Sequence, residues 1–112
     1  MGSIALTRRL TLEQVVKTPD GAGGFVQVWT VLGELWANMD ARTGRIRDAA
    51  GVAVSVVRYR IVVRAALDGS DMRPQAGQRF RDGTRAYVID ASAAHDGAGL
   101  YLECWAREEV VA

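Results

Sequence analysis

The sequence predicts an all-β fold, a small antiparallel β-barrel or sandwich with one long inter-strand loop. Three observations point there. Apolar residues alternate with period two rather than 3.6, the alternating stretches are short and evenly spaced, and glycine-bearing turns separate them. No stretch carries a convincing amphipathic helical pattern, which leaves barrel or sandwich as the architecture.

A first strand runs from Leu10 to Val16, with Leu10, Leu12, Gln14 and Val16 on one face and Thr11, Glu13 and Val15 on the other. Pro19-Asp20-Gly21-Ala22-Gly23-Gly24 reads as a turn, since proline fixes φ and glycine tolerates the positive φ of a reversal. Phe25–Leu32 returns as the second strand of a hairpin. Leu35–Ala41 follows as a third, set off by Gly33, a predicted bulge or kink.

Arg42–Gly51 breaks the alternation and is expected to form a charged, projecting loop holding Arg42, Arg45, Arg47 and Asp48. Val52–Ala66 is a long strand, with Val57, Tyr59, Ile61 and Val63 facing one way and Arg58, Arg60 and Arg64 the other. Leu67–Gly77 connects it to Gln78–Arg81 and Arg85–Ala91, a hairpin across Asp82-Gly83. A last turn at His95–Gly99 leads into Leu100–Arg107. There are no internal repeats and no low-complexity linker, so residues 1–112 are expected to be a single domain.

Composition excludes several classes. A chain of 112 residues suffices for one core. Its 49% hydrophobic and 24% charged residues are those of a folded protein. The net charge of +1 gives no bulk attraction for polyanions, so any such role needs a local cluster. The cations are arginines apart from Lys17. One cysteine and one histidine leave no disulfide framework and too few soft ligands for a structural zinc. No cofactor or metal is expected. No stretch approaches the ~20 apolar residues of a membrane span, and the first residues lack the basic-then-apolar order of a secretion signal. The expected location is the cytoplasm, or a particle assembled there.

The reactive residues read as bland. His95 sits in a polar glycine-rich turn and is expected to be solvated; Asp96 beside it points elsewhere on an extended chain. Cys104 alternates with Leu100, Leu102 and Ala106, which predicts a buried, inert thiol. The carboxylates are scattered, with no spacing that enforces a hydrolytic pair. Gly21–Gly24 lacks the Lys-Ser/Thr of a phosphate loop. Trp29, Trp36 and Trp105 are expected in the core or at a subunit contact rather than as a stacking platform.

The arginines stand out. Side chains at i, i+2 on a strand project in parallel about 7 Å apart, and duplex DNA carries a charge every ~1.7 Å of axis. Arg58, Arg60 and Arg64 thus either track phosphates or pair with acids on neighbouring strands or subunits. Arg42, Arg45 and Arg47, beside a lone aspartate, repel one another unless a partner intervenes.

One pattern runs the length of the chain: Trp29-Thr30-Val31-Leu32-Gly33-Glu34-Leu35-Trp36-Ala37-Asn38-Met39, then Arg58–Arg64, then Arg79-Phe80-Arg81-Asp82-Gly83 with Tyr87-Val88-Ile89, then Leu100-Tyr101-Leu102-Glu103-Cys104. This order resembles the phage head–tail joining family of connector, stopper or head completion proteins, from a phage or a phage-like gene transfer agent. The resemblance implies a β-barrel and a structural role in a virion without catalysis. It also implies a cyclic homo-oligomeric ring below the portal that closes or lines the DNA channel and offers the tail its attachment site. The partners it implies are further copies of the chain, a portal or adaptor above, a tail terminator or tail tube below, and packaged double-stranded DNA, with no membrane. The 42–51 loop matches the family's channel loop, which makes Arg42, Arg45 and Arg47 candidate gating residues and Arg58, Arg60 and Arg64 candidate subunit or channel contacts. Trp36, Ala37, Tyr87, Ile89, Leu102 and Cys104 match as core positions. Two alternatives remain: a tail terminator or tail-tube ring protein, and a small oligonucleotide-binding β-barrel. The placement of Tyr59 and the strand arginines on opposite faces counts against the latter.

Overall fold

The computed structural model describes residues 4–47, 50–51, 53–67 and 69–109, with the backbone alone at 45–47 and 53–56. Six strands follow one another: β1 (Arg8–Pro19), β2 (Phe25–Arg47), β3 (Ala53–Arg64), β4 (Arg79–Asp82), β5 (Arg85–Ala94) and β6 (Tyr101–Glu108). All neighbours pair antiparallel in the order β1-β2-β3-β6-β5-β4, and β4 pairs back onto β1 to close a barrel. Closure removes the free sheet edge within the barrel wall.

Period-two alternation selects the interior. Leu10 and Leu12 of β1, Ala37 of β2, Ile61 and Val63 of β3, Phe80 of β4, Tyr87 and Ile89 of β5, and Leu102, Cys104 and Ala106 of β6 form the buried core. Tyr59 packs edge-on to Tyr87, ring centroids 4.8 Å apart, on the face opposite Arg58 and Arg60. Five of the six core positions named from the sequence pattern are buried, but Trp36 is 56% exposed. The alternation dictates this: Leu35 and Ala37 face inward, so Trp36 between them points out.

Gly33 lies inside one continuous β2 rather than between two strands. The predicted irregularity is there: Gly33 pairs with Leu12 and Val31 with Glu13, leaving Leu32 as an extra residue. A straight strand of 23 residues would span about 73 Å at ~3.3 Å per residue. The molecule's longest dimension is 55 Å, so β2 must bend, and a bulge bends its strand. A Cβ at Gly33 would lie 2.6 Å from Met72 Sδ. The β3–β4 connection thus sits close against the barrel at this end.

The β4–β5 turn is one residue later than Asp82-Gly83. Asp82 pairs with Arg85, so Gly83 and Thr84 form the two-residue loop. Gly83 alone takes positive φ, at 63°, the pattern of a type II′ turn with glycine first.

Two arms extend beyond the barrel. β1 pairs with β4 only over Thr11–Glu13, and β2 pairs with β3 only from Ala37 onward. Residues 14–19 and 25–31 therefore form a two-stranded arm, capped by Asp20, whose Oδ1 accepts from the backbone N–H of Ala22 at 2.8 Å and Gly24 at 3.1 Å. At the other end β2 and β3 stay paired from Arg42↔Arg58 to Arg47↔Ala53, while β6 reaches only to Arg58. The segment expected as an Arg42–Gly51 loop is thus strand as far as Arg47, and Asp48 lies outside the described residues. The radius of gyration of 15.8 Å exceeds the about 13 Å of a compact chain of this length, as two arms require.

Candidate nucleic-acid interface

The six candidate arginines do not form two groups as the sequence suggested. Arg42, Arg45 and Arg47 all belong to β2. Strand alternation sets position 42 on one register and positions 45 and 47 on the other, and of 45 and 47 only the backbone is described. What the fold assembles instead is a cross-strand row: Arg42 pairs with Arg58, and Arg58 with Arg107. Strands lie about 4.8 Å apart, so three guanidinium groups share roughly 10 Å of the outer wall, where the second arm leaves the barrel.

Among the described residues this row is incompletely neutralised. Arg107 Nε meets Asp90 Oδ1 at 3.1 Å; Asp90 is the extra residue of a bulge in β5. Asp40 Oδ2 lies 3.9 Å from Arg42 and 3.6 Å from Arg60, so one carboxylate serves two cations. Among the described residues no acid lies within ion-pair distance of Arg58. Like charges directly opposite one another on a sheet are destabilising. All three side chains are solvent-exposed, so water offsets part of that cost.

Arg60 and Arg64 take the other course. Arg60 Nε donates to Glu103 Oε1 at 2.9 Å, and its side chain is half-buried between Asp40 and His95. Arg64 lies over the Tyr101 ring, 5.7 Å from its centroid. Arg60 thus pairs with an acid of its own barrel, and Arg64 has a ring contact within it.

His95, expected in solvent, belongs to this cluster. Its Nδ1 is 2.9 Å from Glu103 Oε2 and 3.2 Å from Arg60 Nη2, and its ring meets Tyr101 edge-on. Nδ1 either donates to Glu103 or accepts from Arg60 and cannot do both. The hydrogen bond from His95, followed by that from Arg60, holds the Glu103 carboxyl below the usual carboxylate range against its partial burial. The missed signal is the β5–β6 register, which sets Glu103 beside the turn that holds His95.

Cys104 is fully buried as its alternation predicts, and burial pushes its thiol up to about 12, which keeps the nucleophilic thiolate unpopulated. Among the described residues no group of three histidines, cysteines, aspartates or glutamates is placed to hold a metal ion. No helix of the described residues is long and apolar enough to cross a membrane.

A second polar cluster lies on the outer wall across β1, β2 and β4. Glu13, buried although charged, receives Arg79 Nε at 2.7 Å and Arg81 Nε at 3.0 Å. Arg79 also reaches Glu109 at 3.0 Å and stacks on Trp29, 4.1 Å from the ring centroid. Trp29 is thereby committed within the chain.

The chain is a closed barrel with two projecting hairpins, one rooted at the arginine row and the other apolar. Comparison with known proteins gives its class. The family model for phage head completion proteins matches residues 1–109, and the chain belongs to that family. It is a virion component with a structural head–tail joining role. A solved structure described as the virion of a native gene transfer agent particle contains a chain 45% identical to this one; the match covers 98% of this chain and 100% of that one, with a TM-score of 0.79. No curated protein matches.

Proposed function

We propose that copies of the chain close into a cyclic ring at the head–tail joint, coaxial with the DNA, with the β2–β3 arm and the Arg42–Arg58–Arg107 row turned toward the duplex. The observation that carries this reading is the row itself: three exposed guanidinium groups in register, short of counter-charge among the described residues, at the root of a projecting arm. Phosphates supply the missing charge without base recognition, as a protein that holds any packaged sequence requires. A ring multiplies each contact by the number of copies, so weak individual contacts add to firm retention.

The head portal or an adaptor would lie above this ring and the tail terminator or tail tube below. The action is mechanical and electrostatic, without a catalysed reaction. Arg45 and Arg47 lie farther along the same strand, on the other register from Arg42. A reconstruction of the head–tail joint by electron cryo-microscopy tests the arrangement. The β2–β3 arm is expected on the luminal side of a ring of this chain. An arm directed away from the DNA axis would contradict the proposal.

A further inference from the structure

The first arm has the opposite character to the second. Over residues 14–31 its charges are Lys17 and Asp20, and Asp20 is spent on its own turn. Val16, Val26 and Val28 share the face that continues the barrel interior, and Phe25 and Val31 lie on the other; all five are exposed. A two-stranded hairpin with apolar residues bare on both faces is marginal in water by itself. Such a surface is the mark of a protein contact rather than of a nucleic-acid site.

The chain also carries an apolar surface to receive it. Ala65 donates its N–H to the Leu100 carbonyl, which places Leu100 at the barrel end where the first arm leaves. Leu100, Leu67 and Trp36 are all exposed at that rim, Leu67 at 85%. The same connection carries Asp71, four residues beyond Leu67. Among the described residues Asp71 is the one acid with neither an ion pair nor a hydrogen bond. Lys17 on the arm likewise has no acid partner among them. Arm and rim therefore match in apolar character and in complementary unpaired charge, and both lie at the same end of the barrel.

We infer that the first arm of one copy packs against the Trp36–Leu67–Leu100 rim of the next, with Lys17 facing the neighbour's Asp71. Two different patches at one level form a heterologous contact, which repeats round a ring instead of stopping at a dimer. This rests on the ring proposed above and names its contact. Because the arms of a β2 strand leave opposite ends of the barrel, the subunit contact and the DNA-facing row are separate surfaces.

The test is a disulfide between Phe25→Cys, on the arm face that Lys17 shares, and Leu100→Cys on the rim, formed by oxidising purified particles that carry the full-length double variant. Denaturing gels without reductant are expected to show a ladder of this chain beyond dimer, absent from either single variant. Dimers alone, adducts only with other virion proteins, or no ladder would each overturn the arm-to-rim contact. If those particles retain their DNA and tails, the head–tail role stands while the contact falls. Charge reversal gives a second measurement that does not depend on the cysteines. Lys17→Asp and Asp71→Lys should each weaken self-association of the concentrated purified chain about fivefold, the scale of an exposed ion pair. Together they should restore it to within about twofold of the parent. A double variant no better than the single ones would overturn the pairing of Lys17 with Asp71.

Discussion

Glu13 and Arg79 face each other in register across β1 and β4, with Nε to Oε1 at 2.7 Å and the carboxylate side chain 4% exposed. This contact lies at the seam where the barrel closes, and Arg81 completes it from the same strand. Replacing Glu13 by Gln leaves two guanidinium groups around a neutral amide. The expected loss is about 3 kcal/mol, the scale of breaking a largely buried pair, read as a lower urea midpoint with an unchanged slope. A loss below about 0.5 kcal/mol, the usual range for surface substitutions, would mean that closure does not depend on this seam.

Trp36→Ala should cost less than about 1 kcal/mol, because a half-exposed side chain on the outer wall fills no core volume. Phe80→Ala, by contrast, empties a fully buried site and should cost about 3–5 kcal/mol. Thermal melts of the two variants against the parent check both expectations. Equal losses would contradict the placement of Trp36 on the outer wall of β2 and of Phe80 inside the barrel from β4.

The Cys104 thiol should resist alkylation and disulfide reagents in the native protein and react fully in denaturant, since burial both shields it and raises it to about 12. Time-resolved thiol labelling measures this. Rapid native labelling at pH 7 would show that β3, β5 and β6 open.

Glu103 makes stability depend on acid pH. Its folded value is depressed below 4.5, first by the His95 hydrogen bond and then by Arg60. Its contribution is therefore fully present above the unfolded value and is lost as pH falls through the lower folded value. The melting temperature should fall over that acid range in the parent. Glu103→Gln should be less stable at neutral pH and flatter over the same range. A variant with the parent's acid slope would remove Glu103 from the account.

The strands in the wall were legible because burial on one face writes a period of two: Leu10 and Leu12, Tyr59, Ile61 and Val63, Leu102 and Cys104. The second arm was not. Arg42–Arg47 pairs with Ala53–Arg58 beyond the barrel, where neither face need be apolar, so extended structure left no alternation to read. Glu13 was placed on the correct face, yet its burial depends on β4 arginines 66 and 68 residues away. That closure is long-range, as are the joining of Arg107 to Arg42 and Arg58 and the capture of His95 by Glu103. Residue types and spacing gave the candidate arginines. The register between strands decided which of them stand together.

The most direct measurement is made on particles carrying Arg42→Ser, Arg58→Ser and Arg107→Ser together. These exposed side chains contribute little to folding, so the variant should keep the parent's circular dichroism and melting temperature. Counting particles by electron microscopy and nuclease protection should then show heads that still fill but lose DNA, with emptied or tailless heads replacing full tailed particles. A yield of DNA-filled tailed particles equal to the parent's, from a ring in which every copy lacks the row, would contradict its role in holding the genome.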